Sequence, residues 1–186
     1  GLVTKGPMVV RDTDVLQEIG RRAGCTVYIS VPTVDETAWS ALEPGTAHPK
    51  QRLRAVRELN DAGVRPGVLM DPIVPGISWK PAILERTVKA IADSGAAFVG
   101  CNVMFLEGGT GDHFMGWLAE AYPDLVAGYQ QLYARKYAPT SYRQEVGQGV
   151  GMLRAKYGIN TREDDDREPA ESPERAAEQQ MLRWKD

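Results

Sequence analysis

The sequence predicts an α/β fold in which parallel strands alternate with helices, as in part of a (βα) barrel. Short apolar runs rich in β-branched residues end at Pro or Gly, which is typical of buried strands that lead into loops. Longer segments between them carry apolar residues at helical spacing. About four strand–helix units follow one another through residue 121, and this order favours a parallel sheet. Half of an eight-fold barrel and a small open sheet both remain possible.

The predicted elements of the first half are bounded by Pro, Gly and helix-capping residues. They are, in order, a strand end at residues 2–4, a helix from Asp12 to Gly24, a strand at 26–31, a short helix with capping-box spacing between Thr33 and Glu36, a helix from Pro49 to Gly63, and a strand at 65–73.

The second half begins with the same alternation and then loses it. We predict a helix from Pro81 to Gly95, a strand at 98–104, a flexible loop at 107–112, a helix around residues 114–118 and another over 125–133. Beyond Pro139 the glycines at 147, 149 and 151 predict a break, followed by a short helix at 152–157. A terminal helix is expected from Ser172.

These patterns divide the chain into three parts. Residues 1–121 form the partial βα barrel, 122–159 a C-terminal helical extension, and 160–186 an acidic linker with the terminal helix. The formal net charge is −3 at pH 7. Most of this negative charge lies in the last part, so the body is close to neutral.

Composition argues against several classes of protein. A nearly neutral body gives no electrostatic support for binding nucleic acid or an anionic membrane. No apolar run approaches the ~20 residues of a membrane span, and no signal peptide is visible. Cys25 and Cys101 belong to no paired motif, which favours a reducing, cytoplasmic location. Because the chain starts at Gly1 and runs directly into apolar residues, we expect a processed or truncated protein.

Three polar residues lie at predicted strand ends, where parallel strands gather ligand-binding groups. The Lys5 ammonium is suited to a ligand carboxylate, and the Ser30 hydroxyl to a ribose or amino group. Asp71 is suited to act as a general base or a polar contact. The alternatives are a surface lysine, a serine bonded to backbone, and an aspartate that caps the loop before Pro72.

Other polar residues carry less information. Glu43 and Arg52 either form an ion pair that fixes a loop or are independent surface charges, and Arg52 is expected on a mostly solvated helix face. His48 and His113 have no neighbouring metal ligands. Cys101 is expected to be a buried, inert thiol.

Four segments together resemble one known family. They are VTK at residues 3–5, YIS at 28–30, LEPGTAHPKQR at 42–52 and GVLMDPIVPGISW at 67–79. Segments of this kind occur in this order and at similar spacing in spore photoproduct lyase-like members of the radical SAM superfamily. The resemblance covers residues 3–105, and the set is more specific than any single piece.

The resemblance implies that these segments are strands three to six of a partial (βα)6 barrel. It implies that Lys5 binds the methionine carboxylate of S-adenosylmethionine and that Ser30 holds its methionyl or ribose part. The strand end Asp71, Pro72 and Ile73 would contact the adenine side. The family also holds a [4Fe–4S] cluster through a CxxxCxxC motif. This chain lacks that motif, so the cluster is expected in the parent protein only and the fragment itself is expected to be inactive.

Our principal hypothesis is therefore the C-terminal part of a radical SAM enzyme, lyase-like, that acts on an unknown substrate. One alternative is a non-enzymatic nucleotide- or protein-binding module. Another is a complete small α/β enzyme that uses Asp71 as its acid or base. We also expect homo-oligomers, because the first strand would expose an unpaired edge.

Overall fold

The computed structural model describes residues 1–161, and within them four parallel strands form one sheet. The strands are β1 (Leu2–Thr4), β2 (Val27–Ser30), β3 (Pro66–Ile73) and β4 (Val99–Val103). Their order in the sheet is their order in the chain. An all-parallel sheet whose order never reverses is the arrangement of a βα-barrel arc. The predicted α/β fold with a partial βα barrel is confirmed.

Helices follow the strands as expected. Within the described residues they are α1 (Thr13–Ala23), α2 (Glu36–Leu42), α3 (Pro49–Asp61), α4 (Pro81–Asp93), α5 (Gly108–Ala121), α6 (Val126–Leu132) and α7 (Thr140–Tyr157). Short 3₁₀ turns at Pro7–Asp12 and Pro123–Leu125 were not predicted.

The main core lies between one face of the sheet and the helices packed on it. Side chains alternate along a strand, so every second residue of each strand points to this layer. Its fully buried members include Val27, Ile29, Val68, Val99, Val56, Leu59, Val88 and Ile91. These residues are the apolar positions of the predicted strands and helices.

The opposite face of the sheet carries an aromatic pair. The rings of Tyr28 and Phe98 meet edge to face with centroids 5.6 Å apart. Gly67, which is paired with Tyr28 in register, lies beneath them. A Cβ at this glycine would lie 2.0 Å from Phe98 Cζ, so only a residue without a side chain fits.

A second, smaller core joins α5 and α6 to the loops after β3 and β4. The Tyr129 hydroxyl donates to the Pro75 carbonyl at 2.7 Å, and the Tyr133 hydroxyl donates to the Met104 carbonyl at 2.7 Å. Burial raises the pKa of both tyrosines. Neutral phenols therefore fix these helices near the carboxyl edge of the sheet. The division at residue 121 stays a prediction.

Two glycine-rich segments were predicted wrongly. Residues 107–112, expected to be a flexible loop, include the start of α5 at Gly108. The expected break at Gly147 and Gly149 is absent, because α7 continues to Tyr157. This helix is held by packing rather than by propensity: Val146 and Val150 are buried, and a Cβ at Gly149 would lie 2.7 Å from Trp79 Cη2. The predicted terminal helix lies outside the described residues.

The two edges of the sheet differ. β4 is bordered by the chain itself, through isolated bridges of Phe98 with Asn160 and of Phe105 with Tyr137. β1 has no strand partner on its outer side among residues 1–161, and Val3 is 62% exposed. No helix in this part of the chain combines the length and apolar character needed to cross a membrane.

Candidate functional site

The parallel sheet brings the predicted site residues to one edge. Lys5 follows β1 directly, Ser30 is the last residue of β2, and Asp71 lies in the last turn of sequence before β3 ends. Since all strands run in the same direction, these residues share the carboxyl edge. Their proposed roles in ligand binding remain predictions.

Arg52 is the centre of this edge, and its predicted place on a solvated helix face is wrong. Its side chain is 0% exposed. Helical spacing explains this, since Arg52 lies on the same side of α3 as the buried residues Ala55, Val56 and Leu59. Arg54, by contrast, is 76% exposed, as predicted.

The Arg52 guanidinium connects a loop to a strand end. It donates from Nε to the Ala47 carbonyl at 2.7 Å, from Nη1 to the Ser30 carbonyl at 2.9 Å and from Nη2 to Thr46 Oγ1 at 2.7 Å. Nη1 also lies 2.8 Å from Glu43 Oε2. Of the two interpretations left open by the sequence, the Glu43–Arg52 ion pair is confirmed. Five donors in a planar fork allow one side chain to satisfy all these acceptors.

Glu43 extends the network to Lys5. The Lys5 Nζ lies 2.7 Å from Glu43 Oε1, and the lysine side chain is 49% exposed while that of the glutamate is 10% exposed. This contact is an ion pair without hydrogen-bond geometry, so Oε1 has no hydrogen-bond donor among the described residues. Lys5 therefore offers an oriented ammonium at the edge, beside a carboxylate oxygen that still has an acceptor site.

Ser30 contributes a buried hydroxyl. The residue is 5% exposed, and its Oγ has no hydrogen-bond partner in the part of the chain that the structure describes. Leaving a buried polar group unpaired costs about 1–3 kcal/mol. The hydroxyl next to the Arg52–Glu43–Lys5 network is therefore a place where a bound polar group would stabilise the protein.

The segment that carries Glu43 is held by α2, although not by the predicted cap. Asp35, not Thr33, is the N-cap residue, and its Oδ1 accepts from the Ala38 N–H at 3.0 Å. Thr33 Oγ1 instead accepts from the Asp35 N–H at 3.1 Å. Farther along, Trp39 Nε1 donates to Thr46 Oγ1 at 3.1 Å. The loop is thus fixed at both ends.

We expect Asp35→Ala to lower the free energy of unfolding by about 1 kcal/mol at neutral pH. The Ala38 N–H, together with the Arg86 guanidinium 2.7 Å from Oδ2, holds the pKa of Asp35 below its usual value. A carboxyl with a depressed pKa stabilises the fold above its unfolded pKa and loses that contribution as pH falls through the folded value.

The cost of Asp35→Ala should therefore shrink below about pH 4. Urea unfolding at neutral and acidic pH measures both values. Asp35→Asn is the matched control, because it keeps a capping oxygen and removes the charge. An equal loss for the alanine variant at both pH values would contradict this explanation.

The end of β3 has a different character. Asp71 Oδ2 accepts from Asn102 Nδ2 at 2.8 Å, and the Asp71–Pro72 peptide bond is cis. Ile73 is 1% exposed and packs in the main core, while its carbonyl accepts from the Met104 N–H at 3.0 Å. Asp71 is therefore the polar group that this strand end presents.

Neither cysteine is arranged as a metal ligand. No group of three or more His, Cys, Asp or Glu residues that could hold a metal ion occurs within residues 1–161. Burial raises the pKa of the Cys101 thiol, which is therefore protonated at neutral pH, and Cys25 is also a free thiol. The predicted inert thiol at Cys101 agrees with this environment.

This geometry defines an α/β protein built on a partial βα barrel with a polar carboxyl edge. The fold is similar to that of a cysteine-to-serine mutant of spore photoproduct lyase, with a TM-score of 0.60 and 15% identity. The match covers 83% of this chain and 47% of that one. The fold is therefore radical SAM-like.

Sequence relatives agree in extent but have no established activity. The chain is 33% identical over 159 residues to uncharacterized proteins of Mycobacterium tuberculosis and Mycobacterium bovis, covering 85% of this chain and 47% of each relative. It is 30% identical over 95 residues to an uncharacterized protein of Acidianus two-tailed virus. The chain thus spans about half the length of the mycobacterial relatives (47%). No family model matches it.

Proposed function

We propose that this chain is the C-terminal part of a radical SAM protein and that its carboxyl edge holds one side of S-adenosylmethionine. The observation that carries the proposal is the network in which buried Arg52 fixes Glu43 and Glu43 fixes the Lys5 ammonium. The radical SAM-like fold supports the choice of ligand.

Lys5 and Glu43 fit the amino-acid end of this ligand. The exposed half of the Lys5 ammonium would bind the methionine carboxylate, and Glu43 Oε1 would accept from the methionine ammonium. Arg52 already holds the glutamate in place. Little side-chain entropy would then be lost on binding, which favours affinity.

Ser30 and Asp71 fit the remaining polar parts. The unpaired Ser30 hydroxyl would bond the methionyl or ribose portion, which would remove the cost of its burial. The Asp71, Pro72 and Ile73 strand end would face the adenine side, where the Asp71 carboxylate can accept from an amino group.

The chain does not fit a [4Fe–4S] cluster. It has two cysteines, one before β2 and one within β4, whereas the cluster needs cysteine thiolates grouped around it. Bound S-adenosylmethionine supplies a 5′-deoxyadenosyl radical for hydrogen abstraction when a reduced cluster cleaves it. Those cluster ligands would have to come from outside this chain, and the chain alone would be inactive.

Amide proton–nitrogen correlation NMR tests the proposal without requiring turnover. Titration with S-adenosylmethionine is expected to shift the amides of residues 4–6, 29–31 and 71–73. Lys5→Ala should weaken binding about tenfold, since a charge-assisted hydrogen bond is lost. Lys50→Ala is the matched control, because Lys50 is 78% exposed and pairs with Glu36 instead.

Methylthioadenosine, which lacks the amino-acid part, should bind Lys5→Ala and the unchanged chain equally. The proposal fails if S-adenosylmethionine shifts no amide at these strand ends. It also fails if the two lysine variants lose affinity to the same extent.

A non-enzymatic binding module is the second candidate, and the missing cysteine triad favours it. In that case the same edge would bind nucleotides without any partner that supplies a cluster. Adenosine and S-adenosylmethionine would then bind with similar affinity, and Lys5→Ala would not distinguish them.

A further inference from the structure

A cavity of about 310 Å³ lies at the carboxyl end of β4, beside the network described above but apart from it. Its lining includes Asp71, Cys101, Asn102, Phe105, Tyr137 and Arg143. This volume is at the small end of the range for ligand pockets, which is about 300–1,000 Å³. The walls come from β3, β4 and the start of α7, so the cavity is a product of the tertiary fold.

One wall is aromatic and exposed. Phe105 and Tyr137 are 53% and 50% exposed, and their ring centroids are 5.6 Å apart at an angle of 46°. A backbone bridge between the two residues fixes their spacing. Among residues 1–161, they are the aromatic members of the exposed large hydrophobic side chains. Exposed, fixed rings in a cavity favour a planar ligand.

Arg143 supplies a positive charge that is oriented but not neutralised. Its Nε donates to the Ala138 carbonyl at 3.2 Å and its Nη2 donates to Thr140 Oγ1 at 3.2 Å. The guanidinium carbon lies 5.8 Å from the Tyr137 ring centroid. No described carboxylate pairs with it. A guanidinium held in this way is suited to binding a carboxylate.

Asp71 and Asn102 supply acceptors on another side of the cavity. Asn102 donates to Asp71 Oδ2, which leaves Asp71 Oδ1 and the Asn102 side-chain carbonyl without a donor among the described residues. Asp71 and Arg143 form no ion pair with each other, so each charge is open to a ligand. The nearby Lys136 is neutralised by Glu107.

We propose that this cavity binds a flat, zwitterionic small molecule. Its amino group would lie at Asp71 and Asn102, its ring against Phe105 and Tyr137, and its carboxylate at Arg143. One negative and one positive side chain match a ligand with no net charge, which favours a carboxylate over a doubly charged phosphate. The proposal does not depend on S-adenosylmethionine binding, although Asp71 borders both sites.

The test uses para-aminomethylbenzoate as the probe, with benzoate and benzylamine as its two halves. In amide correlation NMR of the full chain, para-aminomethylbenzoate should shift the amides of Asn102, Phe105 and Tyr137. Arg143→Met should weaken para-aminomethylbenzoate and benzoate about tenfold and leave benzylamine unchanged. Asp71→Asn should have the opposite selectivity.

Arg135→Met is the matched control, since Arg135 is exposed and lies outside the cavity lining. Absence of saturable shifts, shifts at other residues, or equal losses in the two arginine variants would overturn the proposal. If Asp71→Asn does not give a native spectrum, Phe105→Leu replaces it and should weaken all three ligands.

The same samples separate this proposal from the proposed function. Arg143→Met should keep the shifts that S-adenosylmethionine causes at Lys5 and Ser30. Lys5→Ala should keep the shifts that para-aminomethylbenzoate causes at Phe105. Failure of one site therefore leaves the other measurable.

Discussion

Replacing Arg52 with methionine is expected to lower the free energy of unfolding by about 3–5 kcal/mol. The substitution keeps an unbranched apolar chain but leaves the nearly buried Glu43 carboxylate without its 2.8 Å partner. It also leaves the Ser30 and Ala47 carbonyls and Thr46 Oγ1 without the donors that satisfy them. A buried charge with no compensation is the main source of the loss.

Urea unfolding followed by circular dichroism measures the effect. Arg54→Met is the matched control on the same helix, because Arg54 is 76% exposed and its pair with Glu58 contributes at most about 0.5 kcal/mol. Adding Glu43→Leu to Arg52→Met should recover part of the loss, since the uncompensated charge is removed as well. A loss for Arg52→Met no larger than that for Arg54→Met would show that the network does not stabilise the fold.

Gly67→Ala is expected to lower the free energy of unfolding by about 2–3 kcal/mol. Its new Cβ would lie 2.0 Å from Phe98 Cζ, well inside van der Waals contact. Phe98 is 1% exposed and is held by Tyr28, so its ring has little room to move. The strand or the aromatic pair must therefore shift.

The matched control is Gly147→Ala in α7. No atom lies near the Cβ that it would add, and alanine in a helix interior is favoured over glycine by about 0.5–1 kcal/mol. The two substitutions should thus change stability in opposite directions in the same unfolding experiment. Combining Gly67→Ala with Phe98→Leu should reduce the clash. If Gly67→Ala alone is neutral, the close packing of Phe98 on this strand is not a constraint.

Most of the sheet and its helices follow from local sequence. Residues 26–31 predict a strand and β2 is Val27–Ser30, because β-branched residues there are bounded by Pro and Gly. The failure at α7 has a physical cause. Three glycines lower its intrinsic helix propensity, and the packing of Val146 and Val150 on the body overrides that tendency. Local patterns contain no information about such contacts.

The site was predictable only in part. Parallel strands place Lys5, Ser30 and Asp71 on one edge, and this follows from the alternation of elements alone. Arg52 was missed because its charge suggested solvent, although its spacing from Ala55 and Val56 placed it on the buried face. Arg143 could not be associated with Asp71, since they come from elements far apart in sequence.

The difference between the two edges of the sheet limits how strands could be added to it. On the β4 side, the bridges at Phe98 and Phe105 and the Arg154 guanidinium bound to the Val99 carbonyl at 3.2 Å occupy the border. New strands could therefore join only beside β1. Two copies that met there would each use the same border, which gives a self-complementary pair that closes upon itself and cannot grow into a filament. The expected oligomer remains a prediction, and its sharpest form is a dimer.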